Sequence, residues 1–347
     1  MDLKINNVSK EVLKLISEID LFKGSWTATK LIAPERLATL KHIATIESIG
    51  SSTRIEGVKL TDKEVEKLLQ GTKLHHFKSR DEEEVAGYAD LMNLIFESWE
   101  EINLTENNIK QFHGTLLKYS KKDERHRGEY KKLSNHVEAF DADGKSLGVI
   151  FQTTSPFDTP KEMKELIEWT NNELSQKELH PLIVISCFIV AFLKIHPFQD
   201  GNGRLSRALT NLLLLRTGYS YVPYSSLEKI IEDNKDKYYI SLRTAQSSIG
   251  GNKNKLDVWI TFFLKCMVQQ KKVLESKIEG EKLVQSLPDL SISILKAVKK
   301  RGRSSVSEIV KLTKANRNTI KVHIKNLVAQ GFLQKEGIGK GSKYRIV

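Results

Sequence analysis

The chain has 347 residues, a net charge of +12 at neutral pH and a hydrophobic fraction of 39%, which is ordinary for a globular protein of two or three domains. The longest apolar run, Leu182–Leu193, is about 12 residues long and too short to span a bilayer, so we expect no membrane protein. No basic segment followed by an apolar stretch opens the chain, which favours a cytoplasmic location over secretion. Cys187 and Cys266 lack metal-ligand spacing and are interpreted as core residues.

The first half of the chain predicts several helices. A helical pattern begins at Pro34 and ends in the segment S-S-T-R-I-E-G, with Gly57 as a natural stop. Thr61 and Glu64 predict a capping box at the start of a shorter helix. A longer helix is predicted over Arg80–Asn103, and its acidic opening D-E-E-E is interpreted as a solvated helix start, not as metal ligands.

One β-hairpin is predicted within this helical chain. Two segments rich in β-favouring residues, Val137–Phe140 and Leu147–Thr153, lie on either side of an Asp143-Gly144 turn. Two strands alone are barely stable, so the hairpin needs either a structural reason or a binding role.

The stretch His196–Arg207, which reads H-P-F-Q-D-G-N-G-R-L-S-R, joins two apolar helices. Gly201 and Gly203 allow backbone N–H groups to turn toward one point at the start of the second helix, and such a cradle binds phosphate. Asp200 could hold Mg²⁺ against that phosphate. His196 has the residue type of a general base near neutral pH. The stretch therefore predicts a nucleotide phosphate site with a base beside it.

The carboxyl-terminal segment carries nearly all of the net charge. From Gln285 to Val347 there are fourteen basic and three acidic residues, a net charge of +11. The pattern predicts three helices, the third at Arg317–Gln330, followed by two strands around a Gly- and Lys-rich turn. This order resembles a winged helix. Basic residues on the third helix and on the turn suit phosphates and base edges of duplex DNA, although winged helices also bind proteins. These residues are Arg317, Lys321, Lys325, Lys340 and Lys343.

Three segments resemble one known family. His196–Arg207 matches the signature loop of the Fic family, H-P-F-x-D-G-N-G-R-x-x-R, at all nine specified positions. Upstream, Ser52-x-x-x-Glu56-Gly57 resembles the inhibitory motif S/T-x-x-x-E-G/N that many Fic proteins carry. The segment Arg125–Lys132 resembles the family's G-x-Y-R turn, with Lys131 where arginine is usual.

This resemblance implies a protein adenylyltransferase. His196 would deprotonate a Ser, Thr or Tyr hydroxyl of a target protein, AMP would pass from ATP to that oxygen, and Asp200 would hold Mg²⁺. The hairpin would be the flap that pairs with an extended target segment through Val149, Ile150 and Phe151. The nucleotide would be bound by Gly201, Asn202, Gly203, Arg204, Arg207, Tyr238 and Tyr239.

The resemblance also implies regulation. Glu56 would pair with Arg207 and keep that arginine from the γ-phosphate, with Ser52 supporting the contact. In some relatives this glutamate also helps to remove AMP, so an enzyme that both adds and removes AMP stays an alternative. A second alternative is a DNA-binding regulator whose core senses a nucleotide without transferring it.

We therefore predict a mainly α fold with a helical core of the Fic type, one flap hairpin and a winged-helix domain. The predicted domains are residues 1–104, which carry the inhibitory helix, 105–280, which form the core, and 281–347. A homodimer is one possible oligomeric state.

Overall fold

The computed structural model describes residues 8–28, 33–71, 77–140, 146–249, 255–285 and 287–346. Over these residues the chain forms fourteen α-helices and five short strands, which confirms the predicted mainly α class. The chain divides into two compact units, Met1–Leu274 and Glu275–Val347. A boundary at residue 104 stays a prediction. None of the described helices is long and apolar enough to cross a membrane.

Eleven helices form or begin in the first unit. They are α1 (Lys10–Ala28), α2 (Pro34–Ile55), α3 (Asp62–Gly71), α4 (Arg80–Ser98), α5 (Glu106–Leu116), α6 (Thr159–Gln176), α7 (Pro181–Ile195), α8 (Asn202–Arg216), α9 (Leu227–Asp233), α10 (Lys235–Gln246) and α11 (Leu256–Gln285).

Helix α7 lies at the centre of this unit. Its residues from Leu182 to Leu193 are all buried, as the continuous apolar run predicts, because a helix that is apolar on every side must be covered on every side. It packs against α6, α8 and α10, and α8 packs in turn against α2, α4 and α5. The indole N–H of Trp259 on α11 donates to the carbonyl of Ser186 at 2.7 Å. The two helices that flank the glycine-rich stretch are therefore held rigidly.

Local signals explain where several helices begin and end. The predicted capping box is present before α3, since the amide of Thr61 donates to Glu64 Oε2 at 2.8 Å and the amide of Glu64 donates to Thr61 Oγ1 at 3.4 Å. Helix α4 ends at Ser98, whereas the sequence predicted Asn103. Beyond this end, Arg216 Nη1 donates to the carbonyls of Trp99, Glu100 and Ile102.

The predicted hairpin is confirmed. Strands β1 (His136–Phe140) and β2 (Ser146–Gln152) pair antiparallel, with His136 opposite Gln152. The predicted Asp143-Gly144 turn lies outside the described residues. So do the side chains of Val149, Ile150 and Phe151, whose backbone belongs to β2.

The second unit contains three helices and a three-stranded antiparallel sheet. They are α12 (Asp289–Arg301), β3 (Arg303–Ser305), α13 (Val306–Thr313), α14 (Arg317–Ala329), β4 (Leu333–Glu336) and β5 (Lys343–Ile346), with the sheet in the order β3-β5-β4. The three helices and the last two strands match the sequence prediction. Strand β3 was not predicted, because three residues are too few to show a periodicity. Apolar residues of the helices and of β4 form the core; they are Ile294, Leu295, Val298, Ile309, Ile320, Ile324, Leu327 and Leu333.

Candidate active site

The stretch His196–Arg207 forms a tight loop between α7 and α8. His196 caps the carboxyl end of α7 in the left-handed conformation, with φ 53° and ψ 60°. Gly201, with φ 79°, precedes the first residue of α8. A left-handed residue costs little when it is glycine, whereas a histidine there must be held by its surroundings.

The interior of the loop is fixed by Phe198 and Asn202. The Phe198 ring is fully buried and stacks on His113, with the ring centroids 3.9 Å apart. The Phe198 amide donates to Asn202 Oδ1 at 2.9 Å, and Asn202 Nδ2 donates to the Phe198 carbonyl at 2.7 Å. In this structure the Asn202 side chain therefore braces the loop.

His113 supports the same loop from α5. Its Nδ1 accepts the Gly128 N–H at 2.9 Å, so the ring proton resides on Nε2, which lies 3.1 Å from the carbonyl oxygen of Asp200. Burial lowers the pKa of His113 to about 4. The imidazole is thus a neutral structural group.

The imidazole of His196 is half-buried in this loop and is neutral. Burial is the main cause that lowers its pKa to about 4, and the nearby ammonium of Lys131 acts in the same direction. A neutral imidazole can accept a proton, which is the property that a general base requires.

Glu56, Ser52 and Arg207 form one cluster between α2 and α8. Arg207 Nη2 lies 2.7 Å from Glu56 Oε1, and Arg207 Nε donates to Ser52 Oγ at 2.8 Å. The Arg207 side chain is 5% exposed and that of Glu56 is 32% exposed. Burial alone would raise the pKa of Glu56, but the Arg207 guanidinium more than offsets this and holds it below its usual value. The pair is therefore charged on both sides.

The Glu56 carboxylate also covers the amino end of α8. A Cβ atom added to Gly203 would overlap Glu56 Oε1, so the carboxylate lies directly against the backbone of the first helical turn. The unpaired amides and the dipole of a helix start attract anions. Glu56 thus lies where the sequence predicts a phosphate.

A second charged cluster connects α4 to the loop. Glu84 Oε2 lies 2.8 Å from Arg204 Nη1, and Glu84 Oε1 lies 2.6 Å from Arg80 Nε. Arg80 Nη2 in turn lies 2.9 Å from Asp200 Oδ2. The interpretation of D-E-E-E as a solvated helix start is wrong for Glu84, whose side chain is 11% exposed. Only the folded arrangement shows this, because Glu84 and Arg204 lie 120 residues apart in the chain.

The metal prediction concerns Asp200. Burial would raise its pKa, but Arg204 and the Gly201 amide hold it below its usual value, so it is a carboxylate. Among the described residues no group of three or more ligand side chains could hold a metal by itself. One carboxylate fits Mg²⁺ that takes its remaining ligands from nucleotide phosphates and water. Arg80 Nη2 contacts Asp200 Oδ2, one of the two oxygens that such binding could use.

The tyrosine pair on α10 divides as the helix geometry requires. Tyr238 is buried among aromatic rings, 5.6 Å from Trp259 and 6.2 Å from Phe262 between centroids. Tyr239 is half-buried and lies 5.8 Å from the Arg243 guanidinium. The exposed part of the pair is therefore Tyr239.

Comparison with known proteins supports a Fic/DOC domain. Residues 103–214 match the model of the Fic/DOC family. A relative from Drosophila willistoni, named protein adenylyltransferase Fic, is 28% identical over 236 residues, which are 67% of this chain and 42% of the relative. The chain thus spans about two fifths of the length of that relative.

Solved structures show a similar fold. A Fic family protein from Desulfovibrio desulfuricans G20 is 22% identical, with 98% of this chain and 97% of that chain covered at a TM-score of 0.63. A signalling protein from Bacteroides thetaiotaomicron VPI-5482 that contains a Fic domain is 25% identical. In that comparison 76% of this chain and 94% of that chain are covered, at a TM-score of 0.58.

Proposed function

We propose that this chain transfers AMP from ATP to a side-chain hydroxyl of a target protein, and that Glu56 restrains this activity. The observation that carries the proposal is the position of the Glu56 carboxylate, which contacts Arg207 and covers Gly203 in a loop otherwise complete for nucleotide chemistry. The matches to protein adenylyltransferases support the reaction type.

The proposed reaction uses the residues of the loop. His196 accepts the proton of the target hydroxyl, and the oxygen attacks the α-phosphorus of ATP. The bond between the α-phosphorus and the bridging oxygen breaks, and pyrophosphate leaves. Amides at the start of α8 stabilise the negative charge that develops on the phosphate oxygens. Asp200 would hold Mg²⁺, which would supply neutralisation of phosphate charge there.

Glu56 opposes the productive placement of ATP in two ways. Its carboxylate occupies space at the helix start, and it engages the Arg207 guanidinium that would otherwise bind the γ-phosphate. ATP that enters beside Glu56 is displaced, which moves the α-phosphorus away from the attacking hydroxyl. The hairpin β1–β2 pairs with an extended target segment and presents that hydroxyl.

Labelled ATP tests the reaction. The Glu56→Gly variant, incubated with Mg²⁺ and a cell extract, should label proteins from ATP that carries the isotope on the α-phosphate. ATP labelled on the γ-phosphate should give no labelling beyond that of the extract alone. Transfer from the γ-position with none from the α-position would show a kinase and overturn the proposal, as would unchanged labelling by Glu56→Gly/His196→Ala. To test for removal of AMP, the labelled proteins would be washed free of ATP and then incubated with the wild-type protein. Loss of label would reveal removal of AMP.

A second candidate function, DNA binding, rests on the second unit. A groove there is bordered by Arg317, Lys321 and Lys325 of α14 and by Lys335 of β4. We propose that this unit is a winged helix and that the groove binds phosphates of duplex DNA. Full-length protein should bind duplex DNA with an affinity that falls steeply with salt.

Lysine substitutions test the groove. Lys321→Gln with Lys325→Gln should weaken binding and reduce the salt slope by about 2, roughly one for each phosphate that a lysine no longer neutralises. Lys311→Gln, an exposed lysine on α13, is the matched control. Equal affinity of both variants for duplex DNA would show that DNA does not bind in this groove. DNA binding by a His196→Ala protein, with no AMP transfer by any variant, would favour the nucleotide-sensing regulator.

A further inference from the structure

Lys131 contacts the chain on both sides of His196. Its backbone N–H donates to the carbonyl of Pro197 at 2.9 Å, and its ammonium Nζ donates to the carbonyl of Ile195 at 3.0 Å. One residue therefore binds the carbonyls of the two residues that flank the left-handed histidine. A non-glycine residue in this conformation costs about 1 kcal/mol or more, and surrounding contacts must hold it there.

The remaining two protons of the ammonium go to the base of the hairpin. Nζ donates to Asn135 Oδ1 at 2.9 Å and to Thr153 Oγ1 at 2.8 Å. Asn135 directly precedes β1 and Thr153 directly follows β2. Asn135 Nδ2 also donates to the carbonyl of Phe198 at 2.8 Å. The two ends of the hairpin and the histidine loop are thus joined through one side chain.

This ammonium is buried, with Lys131 only 3% exposed. Burial lowers its pKa to about 8, and Glu162 acts in the opposite direction. Removing a charge from water is unfavourable unless its protons are all bound, and the three acceptors around Nζ satisfy this condition. The arrangement differs from a surface lysine such as the adjacent, exposed Lys132.

We propose that Lys131 is a positioning residue that fixes the imidazole of His196 relative to the hairpin. It touches neither the helix start where phosphate is expected nor the Glu56 cluster. Its effect is on the distance between the base and a hydroxyl presented by the hairpin. The inference rests on the proposed AMP transfer for its catalytic consequence, while the contacts themselves are independent of it.

Kinetic measurements on variants that lack the Glu56 carboxylate test the proposal. In the Glu56→Gly background, Lys131→Met should lower kcat for AMP transfer by at least about tenfold, since a displacement of about 1 Å costs about a hundredfold. The KM for ATP should stay within about twofold, because uniform substrate binding is unaffected. Lys131→Arg, which restores charge and donors, should recover part of kcat. Lys132→Met should match its parent. An unchanged kcat, or a raised KM with unchanged kcat, would overturn the positioning role.

Amide hydrogen exchange provides a readout that needs no activity. Lys131→Met should speed exchange of the His196 and Phe198 amides, whereas Lys132→Met should not; equal exchange in both would overturn the proposal. Thr153→Val removes one acceptor and serves if Lys131→Met does not fold. Its kcat should fall without a change in KM, and an unchanged kcat would contradict the inference. Absence of transfer in Glu56→Gly itself refutes the proposed function, and exchange then still decides the role of Lys131.

Discussion

Replacing Glu56 by glycine removes the carboxylate from Arg207 and opens the space against Gly203. Two unit charges about 4 Å apart interact by about 4 kcal/mol at an effective dielectric constant of about 20, which bounds the repulsion between Glu56 and one phosphate charge. That bound corresponds to about a thousandfold in rate, and a displacement of about 1 Å corresponds to about a hundredfold. We therefore expect Glu56→Gly to raise the initial rate of AMP transfer between about 100-fold and 1000-fold.

The assay is incorporation of label from α-labelled ATP with Mg²⁺, measured as an initial rate. Glu56→Gln keeps most of the side-chain volume and removes the charge, so its rate should lie between those of wild type and Glu56→Gly. Glu101→Gly removes an exposed carboxylate from the turn after α4 and should leave the rate unchanged. A Glu56→Gly rate equal to that of wild type would refute restraint by this residue. An equal increase in Glu101→Gly would refute its specificity.

Three further substitutions probe the loop and its supports. Arg80→Gln frees an Asp200 oxygen, so Mg²⁺ titrations of ATP binding should shift about two- to fivefold lower; an unchanged midpoint would show that the pair does not compete with the metal. For His113, the pKa of about 4 lies below the unfolded value near 6.5, so stability is lost as pH falls through this window. His113→Gln should remove about 3 kcal/mol of that loss in urea unfolding, whereas exposed His42→Gln should keep it. Phe198→Ala should cost about 3–5 kcal/mol of unfolding free energy, and less than about 1 kcal/mol would contradict its role as the buried centre of the loop.

Contiguous patterns were readable from the sequence. The glycine-rich stretch between two apolar helices, the capping box at Thr61 and the β-hairpin each depend on neighbours in the chain, and each takes the expected backbone form. Glu56 contacts Arg207, which is 151 residues away in the chain. The residues alone do not indicate this contact, and the family resemblance predicted it.

Contacts between distant segments were not readable. The roles of Arg80 and Glu84 depend on how α4 packs beside the loop, and a helix that opens with several acids gives the same pattern when it is solvated. Arg216, which binds carbonyls just beyond the end of α4, follows that helix by more than 100 residues. The sequence set Lys131 apart only because the family usually has arginine at that position. The three oxygens that accept from its ammonium come from three separate segments.

The central claim is that His196 drives AMP transfer once Glu56 is removed. Intact-mass measurement of purified protein after incubation with ATP and Mg²⁺ tests it most directly, because self-modification needs no known target. Glu56→Gly should gain the mass of one or more AMP groups, and Glu56→Gly/His196→Ala should gain none. A gain equal to phosphate, or an AMP gain that persists without His196, would contradict the account.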